Sequence, residues 1–192
     1  MLLSAAVAVG ALAAVTACSS GAEFAGSWSS MAPSDITAKI PGAADATSLL
    51  VIDFADGSDA GFVSVTSNFT VTKLRDGGKV DAKGKAVIDG KWTYDVDDAD
   101  DVLLDLNYST LKVSVDDVTV SDSPAARLTK AEIDSVKAAV AESCRHEMSV
   151  AMSSEMRRFS VIKDIEVSKD RRTLSFEIES PETDLRFSRV TE

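Results

Sequence analysis

The strongest constraint on the fold is a period-two alternation of apolar and polar residues between Ala82 and Val120. In its first run Ile88, Gly90, Trp92, Tyr94 and Val96 share one parity, and Val87, Asp89, Lys91, Thr93 and Asp95 share the other. Leu104, Leu106 and Tyr108 then alternate with Asp105 and Asn107, and Leu111, Val113 and Val115 with Lys112, Ser114 and Asp116. Alternation of this kind belongs to strands with one buried face, and the Asp, Asn and Ser between the runs are turn residues. The stretch therefore predicts three short strands joined as antiparallel hairpins.

The same pattern continues on both sides. Upstream, Leu50, Ile52 and Phe54 alternate, Asp56-Gly57 marks a hairpin turn, and Val63, Val65, Phe69 and Val71 share one parity. The Ala-, Pro- and Gly-rich stretch from Ser29 to Thr47 reads as a loop, with at most a short strand around Ile36 to Ile40. Downstream, Val161 to Val167, Leu174 to Ile178 and Leu185 to Phe187 read as three more strands. One segment differs in period. Thr129 with Glu132 forms a capping box, and Ile133, Val136, Val140, Cys144, Met148 and Met152 recur at helical spacing, which predicts a helix over about 129–156. The expected fold is all-β dominated. It is an antiparallel meander barrel of about 8–10 strands with one long amphipathic helix between late strands, closed because so long a meander otherwise leaves open edges.

The N-terminus carries a separate signal. Met1 to Ala17 is apolar and uncharged and ends Val15-Thr16-Ala17-Cys18, followed by Ser19-Ser20-Gly21. This resembles the lipobox of bacterial lipoproteins, although the usual basic segment before the apolar run is missing. The resemblance implies a signal peptide over 1–17, acylation of Cys18, a tether over 18–23, and a single domain over 24–192 held at a membrane of the bacterial cell envelope. With Cys18 acylated, Cys144 is the one other cysteine, so no disulfide forms within the chain.

Two Gly-x-Trp elements, Gly26-Ser27-Trp28 and Gly90-Lys91-Trp92, place a Gly two residues before a Trp at the edge of an alternating run. Gly at such a point marks a bulge or a close backbone approach. Together with the last strand, Asp184-Leu185-Arg186-Phe187-Ser188-Arg189, they resemble the bacterial lipocalin-like, calycin-type lipoproteins over roughly 24–120 and 159–190. The resemblance implies a non-catalytic barrel that binds a small hydrophobic ligand, with Trp28, Trp92, Tyr94 and Phe176 facing its interior. A different reading stays open beside it. Seven Phe, two Trp and five Met are enough to fill a barrel completely. A packed barrel would serve as an interaction or scaffold module, docking on another envelope protein through its helix or through Arg157, Arg158, Arg171 and Arg172.

Composition and motif spacing exclude several classes. The net charge is −11, and an acidic body of this kind does not suit nucleic acid, whose phosphates call for clustered Lys and Arg. Asp53, Asp56 and Asp59, and Asp95, Asp97, Asp98, Asp100 and Asp101, sit where turns are expected and do not match the calcium-loop pattern. His146-Glu147 begins a zinc-protease motif, but Val150 and Ala151 stand where a second His is needed. Gly57 to Gly61 has Asp59 where a nucleophile elbow has Ser, and Ser160 to Lys163 matches a Ser-x-x-Lys motif without its companions. The sequence therefore points to no enzyme, no metal and no cofactor. The expected partners are a membrane through Cys18, a small apolar ligand, or an envelope protein.

Overall fold

The computed structural model describes residues 22–75, 78–95, 97–98, 100–121, 128–179 and 182–191. In chain order the elements are β1 (Gly26–Ser30), β2 (Ser34–Asp35), a 3-10 turn (Thr37–Lys39), β3 (Ala43–Phe54), β4 (Ala60–Arg75), β5 (Gly78–Tyr94) and β6 (Val102–Ser121). Then follow α1 (Lys130–Met156), a second 3-10 turn (Arg157–Phe159), β7 (Val161–Val167), β8 (Thr173–Glu179) and β9 (Glu182–Arg189). All nine strands pair antiparallel in one sheet. Because β1 pairs with both β9 and β3, eight strands close into a ring, and β2 adds outside it on β3. The all-β barrel and its single late helix are as the alternation predicted. Cys18 and the signal-like segment lie outside the described residues.

The central stretch differs from expectation in one respect. It makes two strands, not three, because the second and third runs are one 20-residue strand, β6. Asn107-Tyr108-Ser109-Thr110, whose composition suits a turn, is a wide bulge inside that strand. Asp89 of β5 pairs with Asn107, whereas Val87, two residues away, pairs with Lys112. The side chains that favour turns hold the bulge together. Asn107 accepts from the backbone N–H of Ser109, and the Thr110 hydroxyl accepts from the Asp89 N–H at 2.9 Å. An odd number of extra residues reverses the inward parity, from Leu104 and Leu106 to Leu111, Val113 and Val115, and it leaves Tyr108 exposed. A second shift, where Lys83 and Gly84 face Asp117 and Val115, reverses it again. Bulges bend a strand and increase its twist, so β6 can belong to the barrel at one end and curl under the helix at the other. The Gly of the second Gly-x-Trp element sits beside this bend. A Cβ on Gly90 would lie 2.5 Å from the Asp105 carbonyl oxygen, so the close approach inferred from the sequence is real.

Two apolar clusters result. The larger fills the barrel with residues of both sheet halves and the end of the helix, including Trp28, Ile52, Val65, Ile88, Trp92, Ile162, Phe176 and Phe187. The second lies between the helix stripe Val140, Cys144, Met148 and Ala151 and the far ends of β3, β4 and β5 (Ala46, Phe69, Val71, Val80 and Ala82). Ile36 and Ile40 complete it, yet they flank a 3-10 turn and not the short strand expected there. The helix begins with the anticipated capping box. Glu132 donates its N–H to the Thr129 hydroxyl, and the Thr129 N–H donates to the Glu132 carboxylate at 2.7 Å. Across the helix–sheet interface the buried Lys73 ammonium meets both oxygens of Glu147 at 2.7 Å and the Ser143 hydroxyl at 3.2 Å.

The opposite end of the barrel is sealed by aromatic rings. Phe24, placed in or beside the tether by sequence, is buried and makes edge-on contacts with Phe54, Trp92 and Tyr94. The Ala22 N–H donates to the Gly57 carbonyl at 2.8 Å, so the chain is pinned to the barrel before β1 begins. Trp28 is fully buried, and its indole N–H donates to the Phe24 carbonyl at 2.7 Å. Arg189 from the last strand lays its guanidinium 5.0 Å from the centre of the Trp28 ring and donates to the Ala25 carbonyl at 3.0 Å. First and last strands are thus joined by ladder bonds and by a cation over an aromatic face.

Candidate functional site

The helix does not close down on the barrel along its whole length. Where its C-terminal half passes over the open end, a cavity of about 240 Å³ remains. Met148, Ala151 and Met152 form its helical wall, Ser48, Leu50 and Ser67 the wall from β3 and β4, and Phe159, Ile178 and Leu185 the wall from the second 3-10 turn and the last hairpin. The apolar part follows from two periods meeting. Helical spacing puts Met148 and Met152 one turn apart on the inward stripe, and strand spacing puts Leu50 on the inward parity of β3. Met is the residue that adapts to such an irregular gap.

The polar part of the wall is of two kinds. At the rim, Glu155 of the helix is paired with both Lys39, which comes from the first 3-10 turn, and Arg158, at 2.8 Å. Arg158 also reaches the Thr183 hydroxyl at 3.4 Å. Asp35 accepts the N–H of Thr37 at 2.8 Å, and hydrogen bonds from Thr37 hold its carboxyl below the usual aspartate range. Deeper, Ser48 and Ser67 place their hydroxyl oxygens 2.6 Å apart. They are 6 % and 2 % exposed, which makes them interior groups. β3 and β4 pair with Ser48 opposite Phe69 and Leu50 opposite Ser67, so the two serines are diagonal neighbours on the inward face.

The aromatic residues singled out from the sequence are elsewhere. Trp28, Trp92 and Phe176 are buried in the barrel cluster, and Tyr94 is half-buried against it. None of the four lines the 240 Å³ cavity. Their polar handles are spent internally, for the Trp92 indole N–H donates to the Ala55 carbonyl at 3.1 Å. Burial, followed by the nearby carboxylates of Glu23, Asp59 and Asp100, raises the pKa of the Tyr94 phenol. Phe176 stacks on Phe187 with ring centres 5.1 Å apart. Alternation distinguishes inward from outward, and both core and cavity lining are inward. The residues the sequence reading missed, Ser48 and Ser67, carry a visible signal: each is a polar residue at an inward position of an apolar alternating run.

Other candidates resolve into structure. The acidic turn after β5 caps its own backbone, with Asp95 accepting from the Asp97 N–H and Asp98 from the Asp100 N–H. Among the described residues no three His, Cys, Asp or Glu side chains converge to hold a metal ion. Cys144 is fully buried, and burial is the main cause that raises the pKa of its thiol. His146 is exposed on the helix. Among the described residues no helix is long and apolar enough to cross a membrane.

No protein-family model matches the chain, and a search among curated proteins finds no match.

Proposed function

We propose that this is a non-catalytic, lipid-anchored protein of the bacterial cell envelope whose barrel, capped by the helix, holds one small and mostly apolar ligand. The observation that carries this reading is the cavity between α1 and the barrel mouth. Half of its lining residues are Leu, Ile, Met, Phe or Ala, and the other half carry hydroxyls or charges, a mixture that suits a small-molecule site with an apolar wall and a few polar groups. Its position supports the same reading. The far end of the barrel is filled with aromatic rings, and Lys39, Glu155 and Arg158 are among the residues that line the space near the helix. The lipobox-like Val15-Thr16-Ala17-Cys18 and the Gly-x-Trp elements add the anchor at Cys18 and the lipocalin-like assignment.

The test is native mass spectrometry of the mature protein carrying Cys18→Ser, after incubation with envelope lipid extract. A bound species of low mass is expected, and it should be lost when Ala151→Trp fills the cavity from the helix side. If no extract yields an adduct while the protein remains folded, the ligand reading fails. The packed interaction module then becomes the better account, and cross-linking in intact cells would identify what it touches.

A further inference from the structure

Ser48 and Ser67 sit in the cavity wall with a hydrogen-bond balance that does not close. A serine hydroxyl has one hydrogen to donate and two lone pairs to accept with. In the pair, one hydroxyl donates to the other across 2.6 Å, which uses one of the two hydrogens. Among the described residues no other partner is found for either hydroxyl, so the second hydrogen is left without an acceptor. Both residues are more than nine-tenths buried, and both line the cavity. Each hydroxyl thus has one partner, the other, and the pair still holds one hydrogen to give where it lines the cavity.

The charges at the rim are in the opposite condition. Glu155 is shared between Lys39 and Arg158, and Asp35 is held by Thr37. Two cations and two anions line the cavity, with no net charge among them. A charged ligand group in the apolar interior would lie away from these rim charges and unpaired, which is costly. An uncharged acceptor oxygen needs neither.

We propose that the ligand is an uncharged molecule with an apolar body and one acceptor oxygen, a ketone, ester or ether, which takes the unspent hydrogen of the Ser48–Ser67 pair. This deepens the ligand-binding reading and rests on it. The body would lie against Leu50, Met148, Met152, Phe159, Ile178 and Leu185. Its size is bounded, since a dry cavity of about 150 Å³ accepts benzene and this one is about 240 Å³. A chain of seven or so carbons is the right scale by that comparison, roughly half again the volume of one ring.

The experiment uses three probes of nearly equal length, 2-heptanone, heptane and heptanoate, titrated into the purified full chain. Binding is followed by the methyl NMR signals of Met148 and Met152. The ketone is expected to bind about tenfold more tightly than the alkane, the scale of one buried hydrogen bond, and more tightly than the carboxylate. Either Ser48→Ala or Ser67→Ala leaves one hydroxyl with a hydrogen to give, so each alone should keep most of the ketone preference. The double variant should lose it and bind ketone and alkane alike. Equal affinity of the unaltered protein for ketone and alkane overturns the proposal while leaving the cavity reading intact. So does a preference for heptanoate. Failure of all three to shift the Met148 and Met152 signals overturns the ligand-binding reading and this proposal with it. The probe ratio on the unaltered chain decides the matter even if the double variant does not fold.

Discussion

Lys73 and Glu147 make a buried ion pair between the sheet and the helix, and removing one partner should be far worse than removing both. The Lys73 side chain is 5 % exposed and that of Glu147 13 %, so both charges are largely out of water. Each is fully engaged. The ammonium meets two carboxylate oxygens and the Ser143 hydroxyl, and that hydroxyl donates to Glu147 at 2.6 Å. Glu147→Leu leaves the buried ammonium with Ser143 alone. Breaking a buried pair in this way costs about 3–5 kcal/mol, and the slight exposure of Glu147 places the expectation near the lower figure. At about 2–4 °C per kcal/mol for a chain of this size, the melting midpoint should fall by roughly 6–12 °C. The double variant Lys73→Met with Glu147→Leu removes both desolvated charges and keeps the volume, so it should return to within about 1 kcal/mol of the parent or exceed it. Urea titration and thermal melting of the three proteins measure both quantities. The reasoning is refuted if Glu147→Leu is nearly silent, or if the double variant is as destabilised as the single.

Further expectations follow from single groups. Gly26 has φ +131°, and a Cβ there would stand 2.7 Å from the Arg189 guanidinium, so Gly26→Ala should cost about 1–3 kcal/mol of backbone strain and disturb the Arg189–Trp28 contact, read by urea midpoint and Trp fluorescence. Hydrogen bonds from Thr129 lower the pKa of Glu132 from 4.5; a group depressed on folding stabilises fully above its unfolded value and loses that contribution as the pH falls through the folded one. Thr129→Ala keeps the backbone bond, the larger cause, and removes the side-chain one, so it should weaken the helix at neutral pH and flatten the acid limb below pH about 4.5 only in part, followed by circular dichroism. The Cys144 thiol, buried and with its pKa raised chiefly by burial, should react with a disulfide reagent only as the helix lifts from the sheet, so its rate should track unfolding in urea; fast reaction in the native protein would contradict the packing.

What could be read from the sequence was what is local and periodic. The inward parities of β4 and β5, the three late strands, and the helix with its Thr129–Glu132 cap all follow from spacings of two and of three to four. The bulge at Asn107 to Thr110 was not legible as such, because the same side-chain-to-backbone bonds that close a turn also stitch a bulge into a continuous strand. Ile36 and Ile40 have strand-like side chains, but Pro33 and Pro41 bracket them, and a 3-10 turn buries both against the helix. The closing of the ring, β1 against both β3 and β9, is a long-range pairing for which no single segment carries the sign. The cavity is of the same kind. It exists because helix and barrel mouth fail to meet over a few residues, and of the aromatic residues that alternation marked as interior, Trp28, Trp92 and Tyr94 went into the filled end and Phe176 between Phe159 and Phe187. Ser48, Ser67 and Lys73 were the exception. Each is a polar residue on an inward parity, and reading such breaks in an apolar stripe would have pointed to the cavity wall and the ion pair.

The pinning of Ala22 and Phe24 to the barrel gives a short leash. If Cys18 carries the lipid, three residues separate it from Ala22, and the four steps of chain reach at most about 14 Å. The aromatic end must then sit close over the headgroups. The cavity begins at Ser48, six residues up β3 from Phe54, about 20 Å farther along at the rise of an extended strand. With a lipid on Cys18 and a ligand in this cavity, the point of attachment and the ligand would lie at opposite ends of β3, and the ligand's way in would be set apart from the anchor.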